Sequence, residues 1–432
     1  MTLPSVSVVV VNWNGKHHLT ACLKALLRQS YKGKLDLVLM DNGSTDGSEA
    51  FVQQAFPTVR VIQSPENLGF GGGNNYAAER LATDALAFVN NDTRADPTWL
   101  EEMVKVLVSA PDIAAVGGKI LSWDRKQTDF IIGGATLTGY GLQIGWGDPM
   151  REDDKERDIL SPCGGSMVIW RDRFNEVGRF DQDYFLFYED LDLGWRLWLA
   201  GYRVRNAPKS LVEHVMHGSV RLVDDQRKAV LYDRNPLYTI YKNYDDAHLA
   251  QVLPAALLLL AEKVVLMVNP DRNAFALPVD EGNHSALPRR HMEIAQAPLA
   301  RSLRERGVMG TAKRLPAATA RRLSALNTKL RQQAMRRLGG DGSLPVRASA
   351  MSSLLAIEQF GQHLPVLRSK RAAVQAMRRR SDQEILKLFG LPLEPLAPVG
   401  GFAAYHRQMM QAFGLDAWVL PPQPSPERGG GL

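Results

Sequence analysis

The stretch PENLGFGGGNN, residues 65–75, decides the fold less by its glycines than by its place among the strands. A dinucleotide fingerprint needs GxGxxG directly after the first strand, with an acidic residue about 20 positions on. Here the glycines follow the third strand pattern, VRVIQS at 59–64, and Asn74 stands where a third glycine belongs. That argues against a nicotinamide-dependent oxidoreductase. The stretch reads instead as a loop in which glycines let backbone lie close to a ligand.

Working outward, SVSVVVVN (5–12) is a β-branched run of the kind buried on both faces of a parallel sheet. Leu19, Leu23, Leu26 and Leu27 then fall at helical spacing. LDLVLMDNGS (35–44) reads as strand, SEAFVQQAF (48–56) as helix, NNYAAERLA (74–82) as helix and ALAFVNND (85–92) as strand. Alternation of this kind predicts an α/β fold whose ligands lie beyond the carboxyl ends of the strands. The polar residues at those ends are Asn12, Asp41, Asn67 and Asp92. From 110 to 220 short strands and loops are expected, with CGGSMVIW (163–170) in the core. Residues 225–244 read as a helix interrupted near Pro236.

Each candidate has an ordinary structural alternative. Asp41 can accept a hydrogen bond from a base or ribose, yet Asn42 to Asp46 are all turn formers. Asp92 is a hard oxygen ligand suited to Mg2+ or Mn2+ shared with phosphates, or an Asx turn before Pro97. Glu189, Asp190 and Asp192 gain from a helix N-terminus. Their casing of Phe185, Phe187, Tyr188, Trp195 and Trp198 favours general-base use, because partial desolvation raises a carboxylate pKa. His214 and His217 lack the cysteines or third histidine of a zinc site, and Glu213 could simply pair with one of them.

The 432 residues contain two cysteines, Cys22 and Cys163, far apart and without a CxxC partner, so a reducing compartment is expected. The first residues show no basic segment or cleavage site of a signal peptide. Net charge is +6, but residues 286–380 hold 20 Lys and Arg against 4 Asp and Glu. Nucleic acid is not expected as a partner, since aromatic stacking platforms are nearly absent there. The apolar run at 249–261 is too short for a span of about 20 residues. Followed by Arg-rich helical patterns, it suggests attachment to an anionic membrane surface.

Seven ordered motifs between residues 5 and 245 resemble the inverting glycosyltransferases of family 2, in their bacterial rhamnosyltransferase-like branch. They are VVVVNWNG, MDNGSTDGS, ENLGFGGGNN, FVNNDT, GRFDQDYFLFYEDLDLGWR, EHVMHGS and RNPLYTIYKN. The resemblance implies a GT-A fold, Rossmann-like, with a mixed central sheet and helices on both faces. It implies that Val11, Asn12, Trp13 and Asp41 hold the nucleotide, with Asn67, Gly69, Asn75, Asn90 and Asn91 also on the donor side. Asn90, Asn91 and Asp92 occupy the metal-binding DxD position, with Asn in place of its first Asp. Asp92 and His214 are then the ligands of a divalent cation (Mg2+ or Mn2+), His214 fitting the spacing to Ser219 better than His217. Asp190 matches the catalytic base, with Glu189 beside it. Implied partners are a dTDP- or UDP-linked donor and a glycan or lipid-linked acceptor, at the cytoplasmic face of the cell membrane. The expected organisation is a catalytic domain over 1–245, an apolar connection over 246–285, a basic helical region over 286–418 and a disordered tail over 419–432.

Overall fold

In the computed structural model, residues 2–151, 155–215, 223–269, 348–395 and 401–419 are described. His217, most of the basic region and residues 420–432 lie outside them. Strands β1 (Val6–Asn12), β2 (Leu35–Asn42), β3 (Arg60–Ser64) and β4 (Ala85–Asn90) are parallel and run β3-β2-β1-β4 across the sheet. The helices α1 (Lys16–Leu26), α2 (Ser48–Ala55) and α3 (Gly69–Ala78) connect them.

Beyond β4 the sheet becomes mixed. Seven further strands follow among the described residues, beginning with β5 (Thr93–Ala95), β6 (Ile113–Ser122), β7 (Thr128–Phe130), β8 (Ile132–Ala135), β9 (Gly141–Ile144) and β10 (Ser166–Trp170). The last is β11 (Arg203–His214). β10 enters antiparallel between β4 and β6, β11 pairs parallel to β6, and β5 lies antiparallel to β11 at the edge. β8 and β9 form a separate hairpin.

The valine run explains the layering. Val6, Val8 and Val10 face one core with α1 and with α4 (Trp99–Leu107), whereas Val9 faces the other with α3. That second core also takes α5 (Arg171–Glu176), α6 (Glu189–Leu199) and α7 (Asp225–Asn243). It continues without a break into α8 (Asp246–Val268), α9 (Ala348–Ala376), α10 (Asp382–Leu386) and α11 (Phe402–Ala412), through Leu259, Phe360, Ile385 and Met409.

Three sequence expectations change. α7 runs unbroken through Pro236. The apolar run at 249–261 is part of a helix that continues past Glu262 and Lys263 to Val268, and by length and composition this helix could cross a membrane. In the structure it packs on α9, α11 and α7, with Lys263 paired to the buried Asp233 at 2.7 Å. Finally, at the described end of the basic segment 286–380, expected to suit an anionic surface, Lys370, Arg371, Arg378 and Arg380 bond within the fold, whereas Arg379 is exposed. Arg371 donates to the Tyr241 and Tyr244 carbonyls, Arg378 pairs with Asp382 at 2.7 Å, and Arg380 donates to the Gly201 carbonyl at 2.9 Å.

Candidate active site

Strand register assembles the residues expected to hold the donor. Asn12 of β1 lies opposite Asp41 of β2, and Val11 lies opposite Asn90 of β4, so the polar residues share one edge of the sheet. Asn12 is fully buried; its amide donates to Ser44 Oγ at 3.2 Å and accepts from Asn91 Nδ2 at 2.7 Å. Asn91 therefore braces Asn12 from below. Trp13 is half-buried beside this edge, and Val11 packs toward Gly73. Asp41 is buried, and among the described residues neither of its carboxylate oxygens has a hydrogen-bond partner. A buried charged acceptor left without partners costs several kcal/mol, so such a group in a folded chain points to a ligand.

The glycine stretch is not a loop beyond Leu68. Gly71, Gly72 and Gly73 lie inside α3, where an added Cβ on Gly71 would sit 3.1 Å from Phe180 Cβ and one on Gly73 3.1 Å from Val11 Cγ1. Their small size brings the helix against its neighbours, so the stretch is helix where a loop was expected. Asn42, noted in the sequence only as a turn former, organises the entry. Its Nδ2 donates to Asn67 Oδ1 and to the Gly69 carbonyl, both at 3.0 Å, and its Oδ1 accepts from Leu68 N–H. Gly69 has φ +73°, and a Cβ there would meet the Phe185 carbonyl at 2.3 Å. Asn75 makes a two-point bond to the Phe180 backbone, donating at 2.8 Å and accepting at 3.2 Å. Asn67, Gly69 and Asn75 thus hold the scaffold rather than present free polar groups to a donor.

At the other end, β11 delivers His214 beside β5 and Asp92. His214 Nε2 lies 3.2 Å from Asp92 Oδ1, and its Nδ1 lies 2.7 Å from Asp129 Oδ2. Burial alone would depress the imidazole pKa; the bonds to Asp129 and Asp92 outweigh it and lift the value to about 9. Two ligands of an octahedral ion bound at about 2.1 Å stand about 3 Å apart, so Asp92 and His214 fit a divalent cation once that proton has left. Asp129 on β7 then orients the ring from behind, as carboxylates behind metal-binding histidines do. The sequence reading missed it, and an acidic residue within the short strand TDF was its only signal. Glu213 pairs with Arg94 and Arg125, not with a histidine. Another acid–histidine group, Asp245, His248 and Asp382, has ligand atoms close enough to share an ion. Its two acids are already engaged: Asp245 caps α8 and Asp382 holds Arg378.

The three acids at the start of α6 separate by environment. Asp192 is fully buried against Arg196 at 2.8 Å and Lys242 at 2.9 Å. These cations hold its pKa below the usual range despite burial. Its role is structural. Glu189 is buried with Oε2 unpartnered, and burial, then the neighbouring Asp190 and Asp192, push its pKa up to about 8. Asp190 is half-buried, its Oδ2 accepting from Gly164 N–H at 3.0 Å and its Oδ1 from Leu191 N–H at 2.8 Å. Burial raises its pKa against the pull of those backbone donors.

Asp190 faces a cleft of about 470 Å³, whose walls include Asn90, Gly164, Phe187, Tyr188 and Tyr232. Phe187 stacks on Tyr232 with centroids 4.3 Å apart. Trp195 and Trp198, expected beside the acids, are core residues instead. An oriented carboxylate of raised pKa in an aromatic cleft can take a proton from a hydroxyl.

Residues 7–171 match the family model described as Glycosyl transferase family 2. An N-acetylglucosaminyl-diphospho-decaprenol L-rhamnosyltransferase of Mycobacterium tuberculosis is 29% identical over 230 residues, covering 48% of this chain and 75% of that protein. Glycosyltransferase AglE of Haloferax volcanii is 31% identical over 183 residues, 41% of this chain and 57% of its own. Among solved structures, the mannosyltransferase PcManGT of Pyrobaculum calidifontis, in complex with GDP-Man and Mn2+, aligns with a TM-score of 0.40 at 17% identity. That alignment covers 87% of this chain and 86% of the other. GalNAc-T7 with UDP, GalNAc and Mn2+ aligns with a TM-score of 0.43 at 16% identity, over 54% of this chain and 51% of the other.

Proposed function

Because this chain belongs to glycosyltransferase family 2, with rhamnosyltransferase-like relatives, we propose that it transfers a sugar, rhamnose first, with inversion. The donor is dTDP- or UDP-linked and the acceptor is a hydroxyl of a glycan or lipid-linked intermediate in cell-surface polysaccharide synthesis. The mycobacterial relative's name specifies rhamnose and a diphospho-decaprenol acceptor, which supports that choice. The observation that carries the reading is the pairing of two differently prepared acids. Asp41 is buried without a partner on the donor side, and Asp190 is oriented by two backbone donors at the cleft.

Asp190 takes the proton of the acceptor hydroxyl as that oxygen attacks the anomeric carbon, and a single displacement inverts the centre. Asp92 and His214 hold a divalent cation, which when bound offsets charge on the diphosphate leaving group. Asp41 accepts a hydrogen bond from the base or ribose. We place the enzyme at the inner face of the cell membrane. The charge for anionic lipid would come from residues 286–347 and from the exposed Arg368 and Arg379, since Lys370, Arg371, Arg378 and Arg380 bond within the fold.

A screen of nucleotide sugars, with and without Mn2+, by thermal shift and donor hydrolysis tests this. dTDP-rhamnose or a UDP-hexose should raise Tm and be slowly hydrolysed, more so with Mn2+. Asp41→Asn should weaken UDP and dTDP binding by about tenfold or more, the scale of a charge-assisted hydrogen bond. It should not lower Tm of the free protein, because no native partner of Asp41 is lost. No response to any nucleotide sugar would remove the reading.

A further inference from the structure

In the motif RNPLYTIYKN at 234–243 the last two side chains hold Asp192, while the first two reach the segment that carries Asp190. That segment is unusual. Phe185, Phe187 and Tyr188 all have positive φ, at 62°, 68° and 70°, and Tyr188 leads directly into α6 without a side-chain cap. Left-handed backbone at bulky residues persists only where surrounding contacts hold it.

Those contacts converge on Asn235, which is fully buried on α7. Its Nδ2 donates to the carbonyls of Tyr184 at 3.1 Å, Leu186 at 2.9 Å and Phe187 at 2.9 Å. An amide has two N–H protons, so three acceptors share them. The amide is oriented from behind, where Arg234 Nε and Nη2 donate to Asn235 Oδ1 at 3.0 and 2.9 Å. Arg234 Nη2 also donates to the Asp183 carbonyl at 2.8 Å, and Nη1 to Gln359 of α9 at 3.2 Å. The turn reaches the donor side as well: the Phe185 carbonyl accepts from Phe70 N–H at 2.8 Å.

We propose that Asn235 is a positioning residue for Asp190: one buried amide holds the left-handed turn 184–188 and so sets the direction in which α6 presents the base. Without it the three carbonyls lose their shared donor, and the turn relaxes toward ordinary negative φ two residues before Asp190. The inference rests on Asp190 being the base.

Two readouts on the full chain test it. The first is amide hydrogen exchange of the peptide spanning 183–192, which needs no substrate. The second is the kcat and donor KM for dTDP release from dTDP-rhamnose with Mn2+. Asn235→Ala should speed exchange in 183–192 by about tenfold or more while leaving β1 and β2 unchanged. It should lower kcat by about 30- to 100-fold, a part of the roughly 10²- to 10⁴-fold attributed to a positioned base, with donor KM within about threefold. Asn235→His, whose ring N–H can replace one donor, should recover part of both. Leu259→Ala, a core truncation on α8, controls for lost stability and should move neither. If Asn235→Ala does not fold, Arg234→Ala, which releases only the orienting bonds, is read in its place. The proposal is overturned if exchange and kcat stay at wild-type values, or if Leu259→Ala reproduces both changes at equal loss of Tm. A wild-type protein inert toward every nucleotide sugar would instead remove the assignment of function, and the exchange result would still judge the turn.

Discussion

Asp190→Asn should lower sugar transfer by about a thousandfold, within the range attributed to general-base catalysis, while donor affinity stays within about twofold. The substitution keeps the shape and an acceptor oxygen for Gly164 N–H but removes the basic lone pair. It should not destabilise the fold, because burial already disfavours the charge at this position. Asp192→Asn makes the contrast. It leaves Arg196 and Lys242 buried with a weakened partner, so Tm should fall instead. An Asp190→Asn enzyme retaining near wild-type transfer, measured by product formation at saturating acceptor, would show that another group is the base.

Asp190 and its neighbour Glu189 set the pH dependence. As the proposed base, Asp190 works only when ionised, so its raised pKa should move the acid limb of kcat/KM upward from that of an ordinary aspartate. Glu189 keeps its proton in the fold up to about pH 8, whereas unfolded it would lose it near 4.5. Between those values the native state binds more protons than the unfolded state, so the Glu189 contribution to stability is full below 4.5 and is lost as pH rises through about 8. Glu189→Gln should flatten that slope in denaturant titrations, with the acid limb of activity remaining. If the slope is unchanged, Glu189 is not the group that holds the proton.

The donor edge was legible because strand periodicity and polar strand ends are local signals: the valine run, then Asn12, Asp41 and Asp92 in order. What the sequence concealed was set by distant partners. GFGGGNN reads as loop because glycine weakens isolated helices, yet the side chains those glycines make room for come from Val11 and from Phe180. Pro236 reads as a break, but tertiary packing of α7 in the core outweighs one missing backbone donor. Lys370, Arg371, Arg378 and Arg380 show their sign in the sequence and not their partners, which are backbone carbonyls and the acids Asp181, Asp183, Asp246 and Asp382. Asp129 and Asn235 stayed hidden for the same reason, since each acts on a residue about 50 to 85 positions away.

Asp92→Asn should abolish the tightening of donor binding by Mn2+ and lower kcat/KM by about a hundredfold or more, as expected when leaving-group charge is no longer offset. The carboxylate of Asp92 and the imidazole of His214 stand 3.2 Å apart, the spacing of two ligands on one small cation. An Asn amide keeps the bulk and loses the charge, so the protein should fold while the cation is held poorly. The presence of Asn90 in place of a first Asp sharpens the expectation. With one carboxylate and one imidazole from the chain, the donor diphosphate has to complete the shell, and Mn2+ should bind weakly until donor is present. Calorimetric titration of UDP and dTDP, each with Mn2+ and with EDTA, separates these effects. The wild type should show a large difference between the two conditions and Asp92→Asn almost none. Asp129→Asn should fall between them, because it leaves both ligands in place and removes only the acceptor that orients the ring. Equal Mn2+ dependence in wild type and Asp92→Asn would mean that the cation is held elsewhere, and that Asp92 and His214 are a buried ion pair belonging to the fold.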